Sequence, residues 1–197
     1  MTGAAASSWP AEPLALLQKW CAREPGEAPQ VMTVCTSDAE GLPDARTLVL
    51  SGIDQGGLSF HTDEFAAKVA QLAARPDVAL VLTWPALARQ VVVRGRAVRQ
   101  DPEEARRAFD SRPRHLQLLA WLNTAEVVAL AESERRARWE QLDAAHTNSA
   151  VPMPPRWTGY SVLPTEVTFW SVQAGLGSER HRYRHDAGVW STATLPG

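Results

Sequence analysis

Two cations stand out for what they could hold. Arg46 lies at the start of the β-patterned run ARTLVLSGI, and Lys68 lies in the helix-patterned run FAAKVAQLAA. The planar fork of an arginine gives two parallel hydrogen bonds to one phosphate or carboxylate, and a nearby lysine adds a point charge. Taken by themselves, the two serve equally well as solvated surface charges. The basic run RHRYRH (180–185) reads on its own as a solvated strand edge, where charge discourages edge-to-edge aggregation. Gln90 opens a β-run, an ordinary place for a glutamine. Trp170 sits in EVTFW, and core packing is its simplest role in a chain with 8 tryptophans. Cys21 and Cys35 form no CxxC or Cys/His grouping, so they read as two buried thiols in a reducing cytosol rather than a disulfide framework or a zinc site.

Elements that would position these groups are legible from the periodicity. Residues 13–24 have helical spacing, with Leu14, Leu17 and Trp20 on one face, and PGEAP ends the run. Strands are expected at 30–38, 45–53, 58–62, 77–84 and 89–100, with DQGG (54–57) as a hairpin turn whose glycines supply positive φ. A short helix spans 65–74. Alternation in the fifth strand places Val91, Val93, Gly95 and Ala97 on one face and Arg94, Arg96 and Val98 on the other. Next comes a helical block. It starts at DPEEARRAFDSRP, where Asp-Pro and first-turn acids suit a helix N-terminus, and continues through RHLQLLAWLN and AEVVALAESERRARWEQLDAAH. After the Pro-rich VPMPPRW, two strands close the chain, YSVLPTEVTFWSV and RHRYRHDAGVWSTATL. Five strands, a helical block and two strands give an α+β protein with an antiparallel barrel of six to eight strands and helices packed at one side.

The bulk numbers narrow the class. With 197 residues and 45% hydrophobic residues the chain is sized for one domain with a real core. Residues 1–11 are expected as a disordered lead-in and 12–197 as the domain. A net charge of −2 favours no nucleic-acid partner. The apolar runs are too short for a membrane span, and the N-terminus lacks a signal-peptide pattern, so a cytoplasmic location is expected.

The run that begins ARTLVL at residue 45 and reaches RQVVV, together with VPMPPRWTGYSVLPTEVTFW in the tail, resembles the pyridoxamine 5′-phosphate oxidase family of FMN-binding split barrels. The resemblance covers residues 12–197 and implies a split β-barrel that dimerises with FMN at the dimer interface. It implies that Arg46 and Lys68 grip the FMN phosphate, with Thr47, Leu48 and Val49 beside it. Thr62 would donate to the phosphate, and Gln90 would hydrogen-bond the flavin ring. Trp170 would face the flavin, and Arg180 would lie close to its ring, where a cation stabilises the anionic reduced form. His61 stands where the family commonly has an aromatic residue, and it is expected to pack rather than to act as acid or base.

The departures from the family concern the substrate. A lysine that contacts the substrate phosphate is replaced by Ser51. A tyrosine, an arginine and a serine of the helical block correspond to Ala108, Arg112 and Leu116, so only the arginine is kept. The family's Arg-x-His near the C-terminus falls on Leu176 and Ser178, and a Gln-Ser pair at the FMN site falls on Ala125 and Glu126, which would set an acid beside a phosphate. Ser51 is shared with the oxidases of phenazine biosynthesis, although their Arg-x-His is also missing here. The resulting expectation is an FMN-dependent oxidase of specialised metabolism, a homodimer acting on a planar non-phosphorylated small molecule through a site that includes Ser51 and Arg112. Two alternatives stay open. One is a pyridoxamine/pyridoxine phosphate oxidase with a rearranged phosphate site. The other is a non-catalytic dimer that binds flavin or deazaflavin.

Overall fold

Period-two alternation shapes most of this molecule. The computed structural model describes residues 9–22, 27–54, 56–173 and 175–197. Helix α1 (Pro13–Cys21) precedes strands β1 (Val31–Ser37), β2 (Pro43–Val49), β3 (Gly52–Asp54) and β4 (Gly57–Asp63). Helix α2 (Ala67–Ala74) leads to β5 (Asp77–Trp84), a 3-10 turn at Pro85–Leu87, and β6 (Arg89–Arg99). The helical block holds α3 (Pro102–Asp110), α4 (Arg114–Leu122), α5 (Ala125–Val128) and α6 (Glu132–Ala145). Strands β7 (Trp157–Gln173), β8 (Gly177–Asp186) and β9 (Val189–Pro196) close the chain.

All strand pairs among the described residues are antiparallel, in the order β2-β1-β5-β6-β7-β4-β3, with β8 on β7 and β9 on β8. Strand β7 organises this curled sheet. One of its edges pairs with β6 along most of its length; the other pairs with β4 over 157–162 and with β8 over 166–173. The β6–β7 register shifts between Arg94 and Gly95. Gly95 is needed there, because a Cβ would overlap the backbone carbonyl of Leu163. Alternation then buries Val91, Val93, Gly95 and Ala97, as the sequence predicts, and leaves Arg94, Arg96 and Val98 outside.

The barrel interior is filled by side chains such as Val34, Phe60, Leu80, Val93, Phe169 and Tyr183, all 0% exposed. Each contributes about 1.5–3 kcal/mol by leaving water. A smaller core, centred on Phe109, Leu118 and Val151, lies under the helical block. Helix α3 is started by Asp101, whose carboxylate accepts from Glu104 N at 2.9 Å, and it buries Ala105 and Phe109. Among the described residues, no helix is long and apolar enough to cross a membrane.

Several expected boundaries move. The strand expected at 45–53 is two strands, β2 and β3, separated at Leu50–Ser51. The final strand is a β8–β9 hairpin, because Ala187 and Gly188 both take positive φ (47° and 84°) and reverse the chain. The last helix of the block is broken into α5 and α6. Gly57 (φ 132°) is the described glycine of the DQGG turn with positive φ, while Gln55 lies outside the described residues. The first helix ends at Cys21, and Pro25 and Gly26 of the expected breaker also lie outside them. Cys21 and Cys35 are half-buried rather than buried, and are not disulfide-bonded. Of the expected lead-in, residues 1–8 are outside the described set. Trp9 stacks on His181 (4.6 Å, 5°), and Tyr183 donates its hydroxyl to Pro10 O at 2.7 Å.

Candidate functional site

A cavity of about 380 Å³ opens where the barrel meets the helical block. Strand β2 lines it with Thr47, Leu48 and Val49, β4 with His61, Thr62 and Asp63, and α2 with Lys68. Arg112, between α3 and α4, lies across from them, with Leu116, Leu119 and Asn123 of the α4 region and Trp157 at the start of β7. Seven of the expected site residues thus meet in one place. Two larger grooves, about 740 and 910 Å³, gather none of them.

One end of the cavity suits an anion. Lys68 Nζ donates to Thr62 Oγ1 at 3.1 Å. Burial lowers the ammonium pKa from its ordinary value, and the nearby Arg46 charge lowers it further, while Asp63 and Asp44 act the other way. An arriving phosphate would relieve both penalties on that ammonium, and the hydroxyls of Thr47 and Thr62 would add hydrogen-bond donors. Arg46 itself does not line the cavity. Its guanidinium is held by Val34 O (3.1 Å), Thr36 Oγ1 (2.6 Å), Gln71 Oε1 (2.9 Å) and the Asp44 carboxylate. It tethers β1, β2 and α2 and projects charge toward Lys68. Glu126, expected beside the phosphate, is exposed, lies 3.9 Å from Arg156, and does not line the cavity. The donors present therefore fit an FMN phosphate.

The other end is built on one indole. The Trp157 ring receives His61 in parallel stacking (5.2 Å, 3°), Phe109 edge-on (5.4 Å, 76°) and the Arg112 guanidinium at 4.5 Å. No carboxylate pairs with Arg112 among the described residues. Burial pushes its pKa down to about 10, so it stays charged at neutral pH. His61 is 7% exposed, and its Nδ1 lies 2.8 Å from Ser51 Oγ. Burial, and then the Arg112 charge, push the imidazole down to about 4, against a weaker opposing effect of Gln100. The ring is therefore neutral at physiological pH. The expected packing role of His61 is present, and a bonded hydroxyl partner is added to it. Trp157, Gln100 and Asn123 were not singled out in the sequence. Trp157 hid in the Pro-rich VPMPPRW, read there as a linker although it begins β7.

The remaining expected residues form a second group. Gln90, Trp170 and Arg180 are register partners across β6, β7 and β8, so they make one row over three strands. None of them lines the cavity. Trp157, which does, lies at the opposite end of β7. Leu176 is 81% exposed near the β7–β8 turn and Ser178 is the second residue of β8, both apart from the cavity lining.

Comparison with known proteins agrees with this geometry. Residues 22–171 match the pyridoxamine 5′-phosphate oxidase family. A pyridoxine/pyridoxamine 5′-phosphate oxidase of Pseudomonas fluorescens is 35% identical over 92% of this chain and 86% of its own. That of Chromohalobacter salexigens is 38% identical over 95% of this chain and 90% of its own. Among solved structures, PhzG from Burkholderia lata, in complex with tetrahydrophenazine-1-carboxylic acid, superposes with a TM-score of 0.80 at 26% identity, covering 95% of this chain and 94% of that one. An FMN-binding protein from Nostoc punctiforme shares the fold, with a TM-score of 0.69 at 17% identity over 85% of this chain and 88% of that one. The split barrel, the anion-ready end of the cavity and these matches together show that the chain belongs to the pyridoxamine 5′-phosphate oxidase family, a split-barrel family of flavin oxidoreductases.

Proposed function

We propose that this protein is a homodimeric FMN-dependent oxidase whose substrate is planar, unphosphorylated and carries a single carboxylate. The observation that carries the reading is the isolation of Arg112. It is the cation at the Trp157 end of the cavity, no carboxylate pairs with it among the described residues, and its neighbour in the lining is Leu116. A phosphate dianion calls for several charge-assisted donors, each worth roughly 1.5–3 kcal/mol. Ser51, Ala108 and Leu116 supply no further charge, whereas a carboxylate is satisfied by one guanidinium fork. The flat faces of Trp157 and His61 suit an aromatic ligand. FMN, when bound, supplies the electron-accepting chemistry. Lys68, Thr62 and Thr47 would hold its phosphate, with Arg46 stabilising the strand and helix that carry them.

The separate row of Gln90, Trp170 and Arg180 supports the dimer. Its placement fits a site completed by a second copy, in which the cavity of one protomer meets the row of the other. The PhzG structure, bound to a tricyclic carboxylic acid, supports a place in specialised metabolism. The names of the curated relatives favour a second reading, oxidation of pyridoxine or pyridoxamine phosphate.

Two measurements decide. Purified protein should show a flavin spectrum, with FMN released on heating; a colourless protein that takes up no FMN overturns the flavin reading. Oxygen consumption with both B6 phosphates should give a kcat/KM well below roughly 10⁴ M⁻¹s⁻¹, and a value at or above that level restores the second reading.

A further inference from the structure

A chain of polar groups runs behind the cavity wall and ends at Ser51. Gln100 Nε2 donates to Glu104 Oε1 at 2.9 Å and to Ser161 Oγ at 3.0 Å. A carboxylate only accepts, so this contact fixes the amide orientation and turns Gln100 Oε1 toward His61. Both meet over Gly159, the cross-strand partner of His61: a Cβ there would overlap Gln100 Oε1 and crowd Cδ2 and Nε2 of the ring. Gln100 Oε1 and His61 Nε2 are both buried, and among the described residues each lacks a hydrogen-bond partner. Satisfying both requires the proton of the neutral ring to sit on Nε2. Nδ1 then carries a lone pair and can only accept, so at 2.8 Å the Ser51 hydroxyl must be the donor. Ser51 is itself exposed and lies beside the cavity, bonded to the lining residue His61 but not in the lining, which leaves the lone pairs of Oγ for a ligand that extends past His61.

We propose that Ser51 is a specificity-determining hydrogen-bond acceptor, locked in that role by Glu104, Gln100 and His61, and that it selects ligands presenting a ring N–H or O–H. An anionic oxygen at the same point meets lone pairs instead of a donor. The network thus disfavours a phosphate through the wiring of the hydroxyl, in addition to the missing positive charge. His61 is a positioning residue here: it acts on the ligand through Ser51. Burial and the Arg112 charge keep the ring neutral, so the direction of the bond holds across physiological pH. The inference deepens the reading above and rests on it for the location of the substrate.

The test uses two planar tricyclic acids that are not oxidised, carbazole-3-carboxylate and dibenzofuran-2-carboxylate, which differ in a ring N–H against a ring oxygen. Calorimetric titration of the flavin-loaded protein should show the N–H acid binding about tenfold tighter. Ser51→Ala should bring the ratio close to one. His61→Phe keeps a ring against Trp157 but frees the hydroxyl to donate, so the ratio should fall because the oxygen acid tightens. The ¹⁵N shifts of the His61 ring should report the Nε2–H tautomer at neutral pH. Equal affinities in the native protein, an unchanged ratio in Ser51→Ala, or an Nδ1–H or cationic ring each overturn the proposal. FMN content is read by absorbance in the same samples and the titrations are repeated without flavin. Failure to take up flavin counts against the proposed function, whereas indifference to the N–H, with or without flavin, counts against this inference.

Discussion

The Arg112 guanidinium lies 4.5 Å from the centre of the Trp157 ring, held over the indole by a cation–π contact and paired with no carboxylate among the described residues. An unpaired, half-buried cation is a site waiting for an anion. Arg112→Ala should weaken binding of a planar carboxylate about ten- to hundredfold, the size of one charge-assisted hydrogen bond. Arg112→Lys should recover little, because an ammonium neither stacks on the indole nor forms a fork. Calorimetric affinities of dibenzofuran-2-carboxylate for the three proteins check this, and equal affinities would remove Arg112 from the site.

His61 makes a prediction about acid. Its folded pKa is about 4 against an ordinary 6.5. Above pH 6.5 the ring is neutral in both folded and unfolded chains. Between about 6.5 and 4 the unfolded chain takes up a proton that the folded chain refuses, so stability falls as pH falls, by up to about 3 kcal/mol. Below that window both states are protonated and the loss levels off. His61→Phe should lose less stability than the native protein between pH 7.5 and 4.5 in urea denaturation. Parallel losses in the two proteins would refute the assignment.

Lys68 and Arg46 should fail differently. Lys68→Ala removes a group that faces the cavity, so it should cut FMN affinity at least tenfold with little change in thermal stability. Arg46→Ala also breaks four contacts that tie β1, β2 and α2, so it should in addition cost about 1–3 kcal/mol of stability. Flavin titration and thermal melts of both variants separate the two roles. Full FMN content in Lys68→Ala would place the phosphate elsewhere.

A shared site can be detected by mixing. Lys68→Ala and Arg180→Ala should each lose flavin as pure proteins. If the cavity of one protomer is completed by the row of the other, a heterodimer carries one intact site and one doubly damaged site. Unfolding and refolding an equal mixture should then restore about a quarter of the flavin sites, half the dimers having one good site of two. No recovery would mean that each chain builds its own site, and full flavin in pure Arg180→Ala would mean that the row takes no part.

Much of the frame is readable from residue order alone. Val- and Leu-rich runs between turn signals mark β5 and β6, and those strands appear as expected. The Lys68 end of the cavity was legible because its residues cluster within 47–68, along two strands and a helix close in sequence. The other end was legible only in part: Arg112 and His61 were expected, but their partners Trp157 and Gln100 were not. These contacts arise only when the helical block folds onto the barrel, and neither partner carries a local signature. Arg46 shows the opposite limit. Its type and position suit a phosphate, yet tertiary structure gives its donors to Thr36, Gln71, Asp44 and a backbone carbonyl.

Strand β7 works as a ruler. Trp157 at one end belongs to the cavity and Trp170 near the other belongs to the outer row, so thirteen residue steps, roughly 40 Å of strand, separate the two groups. Ladders hold most of that contour extended on both edges; the gap at 163–165 on the β4/β8 side coincides with the register shift against β6. Within one chain the cavity and the row are held apart by the same strand that carries residues of both. Lengthening or shortening β7 would change the offset between the cavity and the row, so the length of a single strand sets their spacing.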